Sequence, residues 1–240
     1  MDVRPLEDDG MQTKLAEMRT SLLAQGVSMQ GIDDPMLLRF LRARAMHVPR
    51  AAKMLAEHQT WRASFVPSGF ISESQIESEL AQGKAFLQGV CKKTGHPLLF
   101  MIARHHYRST DFQEFKSKMY AFHEAAHVIG ICTPCIYDIF LLILPVELGF
   151  VVYAADKTIA SAQAGAEKYV TIVDLEGIGY KNMDIKSLFS SLHLLQNYYP
   201  ERMARLYFVK VPSIFTSFWK MVSPFIDKVT REKARGGRLL

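Results

Sequence analysis

At 240 residues, 49% of them apolar and 22% charged, the chain can bury one substantial core with a small helical appendage and is too apolar to stay disordered. Its formal net charge of +5 suits an anionic membrane surface as well as a nucleic acid and selects neither. Three cysteines (Cys91, Cys132, Cys135) make no disulfide framework, and Asp2, Glu7, Asp8 and Asp9 replace the basic, apolar start of a signal peptide, so a reducing cytosol is expected.

In chain order, residues 1 to about 10 are acidic and expected to fray. Met11 to Leu23 reads as a first helix. Asp33-Asp34-Pro35 opens a second, with Pro35 in the first turn, where its missing N–H costs nothing. Met36, Leu37, Phe40, Leu41 and Ala45 form its apolar face, while Arg39, Arg42 and Arg44 lie largely off it and read as a solvated face. Pro49 opens a third helix that carries Ala52, Leu55, Ala56, Gln59 and Trp61 to Phe65, closing a helical unit over 11–66. Pro67 to Gly69 is a linker, followed by a short polar helix near Glu73 to Leu80. Phe86 to Cys91 and Pro97 to Ala103 read as strands around the turn Lys93-Thr94-Gly95-His96. Asp111 caps a helix beginning Phe112-Gln113-Glu114-Phe115, and Phe150 to Gln163 is an amphipathic helix ended by Gly165.

Tyr169 to Leu175 is a β-branched apolar run closed by Asp174, Glu176 and Gly177, as in a buried strand. Asp184 caps the next helix, whose Ile185, Leu188, Phe189, Leu192 and Leu195 recur at helical spacing until Pro200. Leu206 to Val211 is a second strand, and strand–helix–strand at this spacing makes a parallel βαβ unit. The fold class is therefore α/β. In the helix Ser213 to Ser223, Ile214, Phe215, Phe218, Trp219 and Val222 form a broad apolar stripe opposite Thr216, Ser217, Lys220 and Ser223. Periodicity alone fits a core helix and a lid equally. The most apolar window, Ile136 to Ala155, is broken by Asp138, Pro145 and Glu147 short of the ~20 clean residues of a membrane span.

Several of these residues together carry a family resemblance. The run Asp33-Asp34-Pro35-Met36-Leu37-Leu38-Arg39-Phe40-Leu41-Arg42-Ala43-Arg44, with Ala51-Ala52 and Trp61-Arg62, resembles the helical N-terminal module of CRAL-TRIO lipid-transfer proteins. Phe150-Val151-Val152-Tyr153 with Asp156-Lys157, Ile172 to Gly177, Tyr198-Tyr199-Pro200-Glu201-Arg202, Val211-Pro212 and Pro224-Phe225-Ile226-Asp227 are similar to that family's lipid-binding domain, here 70–233. The resemblance is strongest to the branch that exchanges phosphatidylinositol and phosphatidylcholine. It implies a mostly parallel sheet floor, helical walls and an apolar pocket for one phospholipid, which a cytoplasmic, peripherally membrane-associated monomer transfers or presents between membranes. It also implies no catalytic residue, metal, cofactor or nucleic-acid partner.

Carried over residue by residue, the family's headgroup site falls on Arg44, Glu201, Arg202, Thr230 and Lys233. Cations and a hydroxyl suit a phosphodiester, and a carboxylate accepts from inositol hydroxyls. Ala45 stands where the family often has a lysine, which removes one phosphate contact. The gate and membrane-contact positions fall on Phe215, Phe218, Trp219 and Val222, with Trp219 and Lys220 suited to a bilayer interface.

Two stretches depart from the family pattern. Residues 117–149 stand where the family has almost none and read as an insertion with a wholly apolar run, Ile139 to Leu144. The insertion contains His123-Glu124-Ala125-Ala126-His127, an HExxH zinc-hydrolase pattern to which Glu147 is a distant third ligand, and Cys132-Thr133-Pro134-Cys135. Residues 234–240 read as a tail, leaving the sheet without its edge strand beside Thr230 and Lys233. Gly177-Ile178-Gly179 follows a strand but lacks the third glycine of a dinucleotide loop. The sequence thus favours a lipid carrier, with a zinc-dependent hydrolase and a lipid-sensing adaptor as alternatives.

Overall fold

The structure, a computed structural model, describes residues 5–106, 146–163, 165–226 and 228–237. Three helices come first: α1 (Pro5–Ala24), α2 (Asp34–Ala43) and α3 (Val48–Phe65). The expected fraying of the first ten residues is corrected from Pro5 onward, where α1 already runs. Asp33 caps α2 by accepting from the Met36 N–H at 2.8 Å, and His47 Nδ1 caps α3 by accepting from Arg50 N–H at 3.3 Å. Leu15, Met18 and Leu22 of α1 pack with Leu37, Phe40 and Leu41 of α2 and with Ala51, Ala52 and Leu55 of α3, giving the unit its own core.

The second half is a five-stranded sheet in the order β1 (Ala85–Val90), β2 (Pro97–Ile102), β3 (Tyr169–Asp174), β4 (Met203–Val209), β5 (Ala234–Gly237). β1 is antiparallel to β2, and the remaining pairs are parallel, so the floor is mostly parallel as expected. The helices are α4 (Glu77–Ala81), α5 (Val146–Ala160), α6 (Ile185–Tyr198), α7 (Ser213–Val222) and α8 (Lys228–Lys233). β3, α6 and β4 form the expected βαβ unit, with Val170 opposite Arg205 and Asp174 opposite Val209. Asp184 accepts from the Ser187 N–H at 3.0 Å and starts α6 as its sequence indicates.

Three expectations are corrected. The missing edge strand is present: Leu206 pairs with Ala234 and Val209 with Gly237. Pairing uses backbone N–H and C=O groups, which Ala-Arg-Gly-Gly supplies despite its weak strand propensity. The helix expected to begin at Phe150 begins at Val146, so residues 146–149 form the first turn of α5. Leu148, 2% exposed, packs with Val152 one turn on and with Trp61, Val66 and Leu194. Arg39, read as solvated, is 7% exposed because its Nη1 pairs with Glu167 Oε2 at 3.1 Å. HExxH at 123–127, CxxC at 132–135 and the helix expected after Asp111 lie outside the described residues.

Trp61 joins the helical unit to the sheet domain by stacking on Tyr198, ring centroids 4.1 Å apart and planes 5° apart. Next to it Arg62 Nη1 donates to Tyr199 OH at 3.1 Å, and Tyr199 OH donates to Asp156 Oδ1 at 2.8 Å. Arg62 also pairs with Asp156 Oδ2 at 2.7 Å. Among the described residues no helix is long and apolar enough to cross a membrane.

Candidate functional site

Strand alternation puts every second residue of β3 on one face, and that face is roofed rather than solvated. Tyr169, Thr171 and Val173 of β3 and Leu206 and Phe208 of β4 form the floor of a cavity of about 350 Å³. Phe150, Val151 and Ala154 of α5 and Leu188, Leu192 and Leu195 of α6 form its walls. The fourth side is α7, through Phe215, Phe218, Trp219 and Val222.

The placement of α7 follows from its stripe. Phe208 meets Phe215 at 4.9 Å and Trp219 at 5.2 Å, the latter edge to face, while Phe215 and Phe218 are 5.9 Å apart. Phe215 and Val222 are buried, Phe218 and Trp219 half-buried. Thr216, Ser217 and Lys220 face outward, as does Met221, an exposed apolar residue beside them. The helix therefore closes the cavity with its apolar side and shows a mixed surface outside.

Of the residues carried over for a headgroup, Glu201 and Lys233 are brought together. Glu201 has φ of +57°, an uncommon backbone for a non-glycine residue, just before β4. Its Oε2 accepts from Lys233 Nζ at 3.3 Å and from Lys168 Nζ at 3.1 Å. Burial pushes the Glu201 carboxyl up, but the Lys168 hydrogen bond and the Lys233 charge outweigh it and hold the pKa below its ordinary value. Thr230, one turn before Lys233, lines the cavity, as do Tyr169 and Met203 at the starts of β3 and β4.

Arg202 turns elsewhere, donating to the Glu167 carbonyl at 3.0 Å and lining a separate cleft beside Arg39, His58 and Arg62. Burial and then the nearby Arg39 charge lower the Arg202 pKa. Arg44 ends α2, with its Nη1 3.2 Å from the Ala43 carbonyl, and lines neither the cavity nor this cleft. Lys168 escaped the sequence reading. A signal existed: Glu167-Lys168 before β3 and Glu201-Arg202 before β4 are acid–base pairs at the same end of neighbouring parallel strands.

The cavity can hold an apolar chain away from water, with charge available at the amino ends of β3 and β4. Comparison with known proteins agrees with this arrangement. The CRAL/TRIO domain model matches residues 80–235, and the CRAL/TRIO N-terminal domain model matches 13–57. A CRAL-TRIO domain-containing protein of Saccharomyces cerevisiae is 28% identical over 225 residues, 91% of this chain and 67% of that protein. A Sec14 cytosolic factor of Schizosaccharomyces pombe is 26% identical over 234 residues, 92% of this chain and 72% of the relative. The crystal structure of Sfh5 shares the fold, with a TM-score of 0.55 at 15% identity over 85% of this chain and 63% of that one.

Proposed function

The chain belongs to the CRAL-TRIO family of lipid-transfer proteins, and we propose that it binds one phospholipid, phosphatidylinositol or phosphatidylcholine, and transfers or presents it between membranes. The observation that carries this reading is the apolar cavity between the sheet and α7. At about 350 Å³ it is at the lower end of ligand-cavity sizes, about 300–1,000 Å³ for drug-sized molecules. A two-chain phospholipid is larger than those, so loading requires α7 to move outward.

Phe215, Phe218, Trp219 and Val222 form the gate, and opening it at a bilayer exposes the acyl chains to lipid instead of water, which removes the hydrophobic penalty of exchange. Glu201, Lys233 and Thr230, with Lys168, meet the headgroup. The chain acts without catalysis, as a cytoplasmic monomer that visits membrane surfaces. Lipid extracted from the purified chain and identified by mass spectrometry tests the reading: one phospholipid per chain is expected, and its absence after incubation with vesicles of phosphatidylinositol and phosphatidylcholine overturns it.

A further inference from the structure

A second cleft, of about 780 Å³, opens between the helical unit and the sheet domain and shares no lining residue with the apolar cavity. Arg39 of α2 and His58 and Arg62 of α3 line it from one side. Arg202, just before β4, lines it from the other, with Asp156 and Lys157 of α5. The phospholipid reading leaves this cleft unused.

Several of its charges are matched. Arg62 pairs with Asp156 Oδ2 at 2.7 Å and donates to Tyr199 OH and to the Gly69 carbonyl, each at 3.1 Å. Lys157, exposed at the rim, lies over the Tyr153 ring, whose hydroxyl donates to Glu73. Arg39 and Arg202 differ, because one residue, Glu167, serves both. Arg39 Nη1 donates to its carboxylate at 3.1 Å and Arg202 Nη1 to its carbonyl at 3.0 Å. Among the described residues neither guanidinium has a second hydrogen-bond acceptor, although each is a fork of N–H donors. Arg39 is only 7% exposed, so water does little for its remaining donors.

The two like charges also act on their surroundings. Burial first, then the Arg39 charge, lower the Arg202 pKa, ahead of the opposing pulls of Glu167 and Asp33. Burial and then Arg62, Arg39 and Arg202 lower that of His58 to about 4, so its imidazole stays neutral among them. An anion that accepts from both guanidinium groups fills their open donors and relieves their repulsion together.

We propose that Arg39 and Arg202 bind a phosphomonoester or diphosphate group in this cleft, clamped between the helical unit and the sheet domain. A carboxylate, which Glu167 already supplies, offers two oxygens and a single charge. A phosphomonoester offers three oxygens and roughly two charges, enough to answer both forks. The inference does not depend on what fills the apolar cavity, because the two sites have no lining residue in common.

The test titrates the full chain with inorganic pyrophosphate by calorimetry. The unmodified chain is expected to bind it, and Arg202→Gln to bind at least about tenfold more weakly, the loss of one charge-assisted hydrogen bond. Arg202→Lys, which keeps the charge and loses the fork, is expected to fall between; thermal melting checks that both variants fold. The ring protons of His58 give a reading that needs no variant. Saturating pyrophosphate is expected to move their titration in nuclear magnetic resonance up from about 4 by about one pH unit or more. A second arm offers vesicles of phosphatidylcholine with and without phosphatidylinositol 4-phosphate. Binding of pyrophosphate assigns the site to a soluble phosphate, and recruitment by the phosphoinositide vesicles alone, lost in Arg202→Gln, assigns it to a lipid headgroup. Binding of neither overturns the proposal, as does binding that leaves His58 unmoved or is undiminished in Arg202→Gln.

Discussion

Glu201 Oε2 accepts from Lys233 at 3.3 Å and from Lys168 at 3.1 Å, so one carboxylate oxygen ties the starts of β3 and β4 to the last residue of α8. Two ammonium groups on one carboxylate leave one positive charge in excess at a place where Glu201 and Lys233 are each only 14% exposed. An anionic headgroup is the natural complement. Lys233→Met is expected to lower phosphatidylinositol transfer between vesicles about tenfold or more while lowering phosphatidylcholine transfer less. Equal losses for both lipids would show that Lys233 holds the fold and not the headgroup.

The same contacts set an acid limit. Because the folded-state pKa of Glu201 is lowered, its ion pairs stabilise the chain fully above the ordinary carboxylate range and are lost as pH falls through the lowered value. Urea denaturation between pH 7 and pH 3 is expected to show a shallower loss of stability in Glu201→Gln than in the unmodified chain. Lys168 is 33% exposed, so solvent screens its share of this effect.

His58 works in a different window. It is packed against Phe40 and Trp61, and burial, then the charges of Arg62, Arg39 and Arg202, lower its pKa to about 4. The unfolded chain takes up this proton near pH 6.5 and the folded chain only near 4, so stability falls with pH across that interval, by up to about 3 kcal/mol. His58→Gln is expected to flatten the stability profile between pH 6.5 and 4. A profile of unchanged slope would mean that another group titrates there.

The proposed gate makes a prediction about transfer without folding. Phe218 and Trp219 are half-buried on the cavity side of α7, and Lys220 and Met221 lie outside. Phe218→Asp or Trp219→Asp is expected to abolish vesicle-to-vesicle transfer while circular dichroism stays native. Transfer at the unmodified rate would remove α7 from the mechanism.

Trp61 tests the junction. Its stacking on Tyr198 and its place beside Leu148, Val152 and Leu194 make it the main apolar link between the helical unit and the sheet domain. Trp61→Ala is expected to cost about 3–5 kcal/mol. It should also split a single denaturation curve into two, because the helical unit has its own core. One unshifted transition would show that the junction is held by the Arg62–Asp156 pair instead.

How much was legible depended on whether a side chain announced its role locally. Tyr169 to Asp174 announced a strand through Val170, Ile172 and Val173, and Asp184 announced a helix start. The stripe of α7 announced a buried face, though periodicity could not say that the face closes a cavity. β5 announced nothing, because Ala234, Gly236 and Gly237 have little or no side chain and only the backbone of β4 recruits them. Arg39 and Lys168 were opaque for another reason. Their partners, Glu167 and Glu201, lie 128 and 33 residues away: the parallel register of β3 and β4 brings Glu201 to Lys168, and Glu167, just before β3, meets Arg39 of α2. In the sequence Glu147 reads as a break in an apolar window and a distant companion to HExxH, whereas in space it accepts from Ser187 of α6.

The pairing of β4 with β5 has a consequence for how α7 can move. The stretch from Lys210 to Lys233 leaves the sheet at Val209 and re-enters it at Ala234, on the strand next door. Both abutments of this span are held by pairing in the same sheet, so an opening of α7 as the proposed gate would be that of a drawbridge hinged at two anchors and not of a free flap.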